Sequence, residues 1–428
     1  MKVLVIGSGG REHAVIRKLA ENKEITHLYC APGNGGIRAQ AQTVNIAATD
    51  VEKMVDFAKQ EAIDFVVVTP DDPLVLGMAD AMEAAGIPAF GPSRAAARIE
   101  GSKVFAKNLM KKYGIPTADY AVFSDPAAAL DDIRRRNRFP AVIKADGLAL
   151  GKGVVIAQDL DEARAALHSI MEEKVFGRSG SQVVVEEFLT GKEVSVLAFT
   201  DGHVVRPMVS SMDHKRAYDN DEGPNTGGMG TIAPSPYYTP EVAERCMQEI
   251  FLPTIEAMNK EGCPFRGCLY FGLILTADGP RVIEYNCRFG DPETQVVLPL
   301  LQSDLFSILR AVREERLAAA DIAWRDGAAA CVVLASGGYP KKYQTGFPIT
   351  GLDADGGCAG AIVYHAGTKW QDGQYRTAGG RVLGVTATAP TLEQAIERAY
   401  ENVKRVDFKG GFYRHDIGKR ALLAKKEG

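Results

Sequence analysis

Short apolar runs alternate with amphipathic segments through the first hundred residues, and this constrains the fold more than any other feature of the chain. Val3 to Ile6 reads as a buried strand, Gly7 to Gly10 as a tight loop, and Glu12 to Ala20 as an amphipathic helix. The cycle returns at Leu28-Tyr29-Cys30 and at Phe65-Val66-Val67-Val68, and it runs through Ala89-Phe90-Gly91-Pro92. Strands separated by helices pair in parallel and are covered on both faces. Residues 1–100 are therefore expected to form a parallel, doubly wound α/β domain.

The pattern then changes. Residues 101–325 open with a helix from Ser102 to Tyr113 and contain strands at Ala141 to Lys144 and Gln182 to Glu186. They also hold a hairpin with arms Leu269 to Leu275 and Arg281 to Tyr285, joined by the turn residues Asp278-Gly279-Pro280. Pro207 to Pro236, rich in Gly, Pro and charge, is too long and irregular to be a plain connector, so it is expected to line a ligand site. Residues 326–428 read as short strands (Ala330 to Leu334, Ala361 to His365, Arg381 to Thr386) and a late helix, with Thr391 and Gln394 spaced as a capping box.

At 428 residues the chain has room for two to four domains, and 50 Lys and Arg against 54 Asp and Glu weigh against coating nucleic acid or an anionic membrane. The basic run Arg134 to Arg138 has no interleaved aromatics and reads as a solvated helix end. Seven scattered cysteines make neither a disulfide framework nor a zinc site. With no signal-like run and no apolar stretch near the roughly 20 residues of a membrane span, a cytoplasmic setting is expected.

Four segments carry candidate chemistry. Gly7-Ser8-Gly9-Gly10-Arg11-Glu12 looks like a dinucleotide loop but lacks its third glycine, and no acid follows the second strand, which disfavours a nicotinamide site. A plain strand-to-helix turn and an anion-contacting loop both remain open, with Arg11 and His13 favouring the second. Lys144 leads into a loop with Gly147, Gly151 and Gly153 and a second lysine, Lys152. Flexible amides and point cations suit phosphate oxygens, although the spacing is not that of a Walker A loop and a surface turn would look similar. Glu186-Glu187-Phe188-Leu189, with Glu193 beyond, could offer backbone to an adenine edge and an acid to a ribose. Finally, if the strand after Arg281 continues, period two puts Glu284, Asn286 and Arg288 on one face and Tyr285, Cys287 and Phe289 on the packed side. A carboxylate and an amide oxygen suit a hard Mg²⁺ or Mn²⁺, and an arginine beside them suits a carboxylate or phosphoryl group.

Lys103, Lys144, the 147–153 loop, the 186–193 linker and Glu284-x-Asn286-x-Arg288 together resemble the ATP-grasp superfamily of carboxylate–amine ligases. Within it, six runs are similar to the branch that ligates glycine: 7–13, 101–103, 144–149, 213–216, 223–230 and 286–293. The resemblance implies a pre-ATP-grasp N-terminal domain, a central ATP-grasp fold with a lid at about 118–190, and a small mixed α/β C-terminal domain.

It also implies the site. Lys103, Lys144, Gly147, Gly151, Lys152 and Gly153 would hold the phosphates of ATP, and Glu186, Glu187, Phe188, Leu189 and Glu193 its adenine and ribose. Glu284 and Asn286 would bind the metal. Arg288, Lys144 and Asp291 would be catalytic, Arg288 holding glycine or its acyl phosphate. Gly9, Gly10, Arg11, Asp213, His214, Lys215, Arg216, Asn225, Thr226, Gly227, Gly228, Gly380 and Arg381 would join Arg288 and Asp291 around 5-phosphoribosylamine. Ser8 and Leu150 depart from the branch's pattern, and the position facing the metal residues on the preceding hairpin arm, where the superfamily usually has a second acid, falls near Gly272.

The implied activity joins glycine to 5-phosphoribosylamine with ATP through glycyl phosphate, a step of purine synthesis. Its partners would be small molecules, with neither nucleic acid nor membrane. The alternatives are an ATP-grasp ligase for another carboxylate or amine, and a nucleotide-binding regulator without chemistry.

Overall fold

In the computed structural model, which describes residues 1–148 and 153–427, β1 (Lys2–Gly7) is the centre of the first sheet. Its run Val3 to Ile6 is fully buried, as a strand covered on both faces requires. β2 (His27–Pro32), β3 (Gln42–Thr43), β4 (Phe65–Val68) and β5 (Ala89–Phe90) join it in an all-parallel sheet, in the order β3-β2-β1-β4-β5. The order reverses at β1, so a crevice opens beyond the carboxyl ends of β1 and β4. α1 (Gly10–Leu19) starts in that crevice. Gly7 turns the chain into it at φ +130°, where any Cβ would strike the Glu12 side chain at 2.5 Å.

α2 (Arg94–Gly101) and α3 (Lys103–Tyr113) lead into the second region. Ser102, expected as the first helical residue, is instead the cap of α3, its hydroxyl accepting from the Phe105 amide at 3.0 Å. β6 (Tyr120–Phe123), β7 (Ala141–Ala145), β8 (Val154–Ala157) and β9 (Val183–Glu187) form an antiparallel sheet, β6-β9-β7-β8, over its own small core that includes Ile133, Ile143 and Val185. A sheet with a separate core can shift as a unit.

The chain continues through β10 (Lys192–Thr200), β11 (Val205–Pro207), β12 (Met212–Asp213), β13 (Arg216–Tyr218), β14 (Glu222–Asn225) and β15 (Gly230–Ala233). It then makes the long hairpin β16 (Gly267–Thr276) and β17 (Gly279–Asn286). The central sheet runs β11-β10-β16-β17, all antiparallel. β18 (Ala328–Ala335), β19 (Ile362–His365), the hairpin β20 (Thr368–Gln371) and β21 (Gln374–Thr377), and β22 (Arg381–Ala389) complete the strands. The last large sheet, β12-β15-β18-β22-β19, borrows β12 and β15 from the segment that reads as irregular in sequence. Strands of two to four residues there are too short to show a period.

α4 (Leu392–Val403) lies on this sheet through Leu392, Ala395, Ile396, Ala399 and Val403, and its cap Thr391 accepts from the Gln394 amide at 3.3 Å. Among the described residues no helix is long and apolar enough to cross a membrane.

Candidate active site

The site is organised by an irregularity in the central hairpin. Gly272 pairs with Glu284 but Leu273 pairs with Val282, so β17 carries one extra residue, Ile283. The bulge turns the Ile283 carbonyl outward to accept from Lys144 Nζ at 3.2 Å. Beyond it the alternation is intact. Tyr285, Cys287 and Phe289 are buried, and Glu284, Asn286 and Arg288 face the cleft half-buried. A Cβ on Gly272 would meet Glu284 Cγ at 3.0 Å, so no larger residue fits opposite that carboxylate without displacing it.

Cations surround Glu284. Lys215 Nζ stands 3.5 Å from its Oε1. Burial would raise the Glu284 pKa, but Lys215, Lys144, Lys103 and Arg288 hold it down to about 2, so it is ionised at any working pH. Lys144 Nζ also donates to Glu186 Oε2 at 3.0 Å, and Lys107 Nζ reaches the same oxygen at 3.0 Å. Burial pulls Lys107 down to about 8 against the pull of Glu186. Lys103 Nζ donates to the Gly147 carbonyl at 2.9 Å, while Asp146 accepts from the Ser102 hydroxyl and the Val104 amide at the start of α3. The strand-end lysine and the helix-start lysine are thus fixed from two sides.

Two hard oxygen donors, the Glu284 carboxylate and Asn286 Oδ1, lie together on β17, and no group of three or more His, Cys, Asp or Glu suited to a metal occurs among the described residues. The donor set fits a divalent ion that takes its remaining ligands from phosphate and water, and does not fit a closed protein cage.

Arg288 is aimed rather than free. Its Nη2 donates to Glu100 Oε1 at 2.9 Å and to Asn286 Oδ1 at 3.1 Å, and its Nη1 to the Phe289 carbonyl at 3.3 Å. Glu100, at the end of α2, is fixed in turn by the Cys287 amide at 2.7 Å. Burial raises Glu100 to about 6, opposed by Arg288. One donor is left over, because Arg288 Nε is buried with no partner among the described residues. A buried N–H costs free energy until something accepts from it.

The other half of the cleft is assembled from all three regions. Asp291 accepts from Arg381 Nη2 at 2.8 Å and from Gln295 at 2.7 Å. Burial would raise its carboxyl, but Arg381 and Arg11 keep it below the usual range. Arg381 Nη1 donates to the Gly227 carbonyl at 2.6 Å, and the Gly227 amide donates to the Tyr339 hydroxyl at 3.1 Å. Gly380 leaves room for that tyrosine, since a Cβ there would strike its ring at 2.2 Å. Gly9 faces the same cluster, 3.3 Å from Asp291 Oδ2 at its would-be Cβ, and Arg11 Nη1 donates to the Phe289 carbonyl at 3.3 Å. Asp213 is half-buried, and desolvation together with the neighbouring Glu293 pushes its carboxyl well up. Thr226 accepts from Gly228 and donates to the Lys215 carbonyl, which closes the 215–228 turn.

The expected residues therefore separate. Lys103, Lys144, Lys215, Glu284, Asn286 and Arg288 converge, as do Gly9, Asp213, Gly227, Gly228, Asp291, Gly380 and Arg381. Arg216 and Asn225 line a cleft of about 480 Å³ between β8 and Pro340-Lys341. Phe188 is 43% exposed in the linker after β9, and Glu193 lies 3.9 Å from Lys215.

Other expected residues turn inward. His214 is buried, with Nδ1–H donating to the Gly230 carbonyl at 3.2 Å and Nε2 accepting from the Gly418 amide at 3.1 Å, so its ring serves the fold. Glu186 spends its carboxylate on two lysines, and Glu187 ties β9 to the Asp119 amide at 3.0 Å. In the first glycine loop Glu12 accepts from the Gly9 amide, so that donor is already taken, and Gly10 packs against Gln295. Gly151, Lys152 and the divergent Leu150 lie outside the described residues.

Lys107, Glu100, Glu293 and Tyr339 were not singled out in the sequence. Lys107 alone had a signal, its i+4 spacing from Lys103 on α3.

A doubly wound domain, a small antiparallel sheet with its own core and a central hairpin bearing acid, amide and arginine over a lysine cluster define an ATP-grasp protein. Residues 1–100, 101–294 and 329–420 match the N, ATP-grasp (A) and C domains of phosphoribosylglycinamide synthetase, and the chain belongs to that family. It is 50% identical over 423 residues to a phosphoribosylamine–glycine ligase of Rhizobium meliloti, covering 99% of each chain. It is 48% identical over 417 residues to one of Caldanaerobacter subterraneus, covering 97% of this chain and 99% of that one. The crystal structure of the Thermotoga maritima phosphoribosylamine–glycine ligase superposes with a TM-score of 0.85 at 35% identity, over 97% and 100% of the two chains. Biotin carboxylase from Campylobacter jejuni shares the fold alone, with a TM-score of 0.74 at 14% identity over 100% and 95%. The chain is an ATP-dependent carbon–nitrogen ligase, and the expected fold class holds.

Proposed function

We propose that the chain joins glycine to 5-phosphoribosylamine, forming glycinamide ribonucleotide, ADP and phosphate through glycyl phosphate. The observation that carries this reading is Arg288. Its guanidinium is fixed by Glu100 and Asn286 beside the ionised Glu284, and its buried Nε has no partner among the described residues, an acceptor that a carboxylate oxygen would supply.

A carboxylate is a poor electrophile, so it must be activated. A glycine oxygen attacks the γ-phosphorus of ATP, the bond to the β-phosphate oxygen breaks, and ADP leaves. Lys144 and Lys103 neutralise charge on the transferring group, and Arg288 holds the carboxylate in line. Glu284 and Asn286 would hold Mg²⁺ or Mn²⁺, whose charge offsets that of the phosphates. The amine of phosphoribosylamine then attacks the glycyl carbonyl carbon, the carbon–oxygen bond to phosphate breaks, and the nitrogen loses a proton. Asp291, Arg381, Gly227 and Asp213 position the sugar amine, and Phe188, Leu189 and Glu193 receive adenine and ribose. Acyl phosphates hydrolyse, and the lid sheet with its glycine loop keeps water out.

A product assay by mass, omitting each substrate in turn, tests this. ADP release should need both glycine and phosphoribosylamine, and a requirement for bicarbonate in place of glycine would overturn it.

A further inference from the structure

The last turn of α1 walls a recess of about 180 Å³ on the side away from the Gly10 end that enters the catalytic crevice. Seven residues of helix put Arg17 about 10 Å along the axis from Gly10. The remaining walls come from Leu298-Pro299, Arg325, β19 and β22, so the recess joins α1 to four separate stretches of chain.

Its charges are not balanced. Arg17 and Arg325 are both exposed, and neither guanidinium has a hydrogen bond or ion pair among the described residues. Lys18 is buried and taken by Glu21 at 2.6 Å, so those two cancel. Tyr364 is only 2% exposed, yet its hydroxyl has no partner among the described residues and is not sealed off from solvent. Burial raises its pKa while Arg17 opposes, so the hydroxyl keeps its proton and can donate. A cation in the last turn favours a helix dipole, which accounts for Arg17. It accounts for neither Arg325 nor a buried phenol left without an acceptor.

Two planar forks and one hydroxyl donor around a small polar recess match the oxygens and charge of a dianion. We propose that this recess is a phosphate site outside the catalytic cleft, taking inorganic phosphate or the head of a phosphomonoester. It stands independently of the ligase reading, since none of its residues belongs to that machinery.

The test is equilibrium dialysis of inorganic phosphate against the full chain, with ionic strength matched by chloride. Wild type should hold one more phosphate per chain than R17A/R325A, with affinity at the recess weakened at least about tenfold in the variant. Ligase kcat should stay within about twofold, because both arginines are remote from the cleft. Y364F keeps the packing and should weaken binding about threefold or more by removing one donor. Equal phosphate uptake by wild type and R17A/R325A would overturn the proposal, as would unchanged binding in both R325Q and Y364F. Ribose 5-phosphate separates the two sources: a larger wild-type-minus-variant difference than inorganic phosphate assigns the recess to esters, and a smaller one to the free ion.

Discussion

The two halves of the cleft differ in how they handle charge. Around Glu284 the lysines 107, 144 and 215 are met by three acids, Glu186, Glu193 and Glu284, while Lys103 has no ion-pair partner among the described residues, so this half has spare positive charge. Around Asp291 the acids lead. Asp291, Asp213 and Glu293 are met by Arg381 and, more distantly, Lys215 and Arg11. A site with unspent cations is built for a polyanion, whereas one rich in carboxylates and held by backbone bonds is built to orient a group that carries an amine. The two halves share one β-strand and the short run after it, so a single hairpin serves both.

Removing the acid at the centre of the lysine half should do the most damage. Glu284→Ala is expected to lower kcat by about three orders of magnitude or more, with cooperative unfolding retained, since the side chain adds little packing. Steady-state ADP release and a thermal scan check both, and loss of the unfolding transition would mark it as structural instead. Arg288→Lys should reduce kcat/KM for glycine about a hundredfold, because an ammonium cannot keep the bonds to Glu100 and Asn286 while also meeting a carboxylate. A near wild-type value would detach Arg288 from glycine.

Arg381→Lys sharpens the contrast. It should raise KM for phosphoribosylamine about tenfold and leave KM for ATP unchanged, and equal effects on both would erase the distinction between the halves. The smallest effect concerns the whole fold. Burial holds His13 near a pKa of about 3 and His214 and His365 near about 4, against an ordinary 6.5. The unfolded chain therefore binds more protons below about 6.5. Stability should be fully present above that pH and fall as pH drops toward about 4. Glu100, raised to about 6, and Asp213 and Glu293, also raised, work the opposite way, so the rings are read individually. An NMR titration from pH 7.5 to 5.5 should find all three imidazoles neutral throughout, and a ring that takes up its proton near 6.5 would mean that it is not buried neutral.

How much of this was legible varies with length of pattern. Val3 to Ile6 and Phe65 to Val68 read correctly because a strand buried on both faces is a continuous apolar run. The acid–amide–arginine face read correctly because period two survives a bulge that adds its extra residue before Glu284. β12 and β15 did not, since a strand of two to four residues has no measurable period. His214 was misread as facing the site, because nothing local distinguishes a histidine aimed at a ligand from one that bridges Gly230 and Gly418.

By itself the sequence determined the chemistry: which residue types stand at alternate positions of β17, where a lysine precedes a glycine loop, and which family the motifs resemble. Those are properties of neighbours along the chain. Tertiary structure alone decided that Glu100 aims Arg288, that the Ile283 carbonyl meets Lys144, and that Tyr339 and Arg381 grip the amide and the carbonyl of Gly227. Each of those contacts joins residues more than a hundred positions apart. Direction and distance between such groups are set by how sheets pack, which no local pattern encodes.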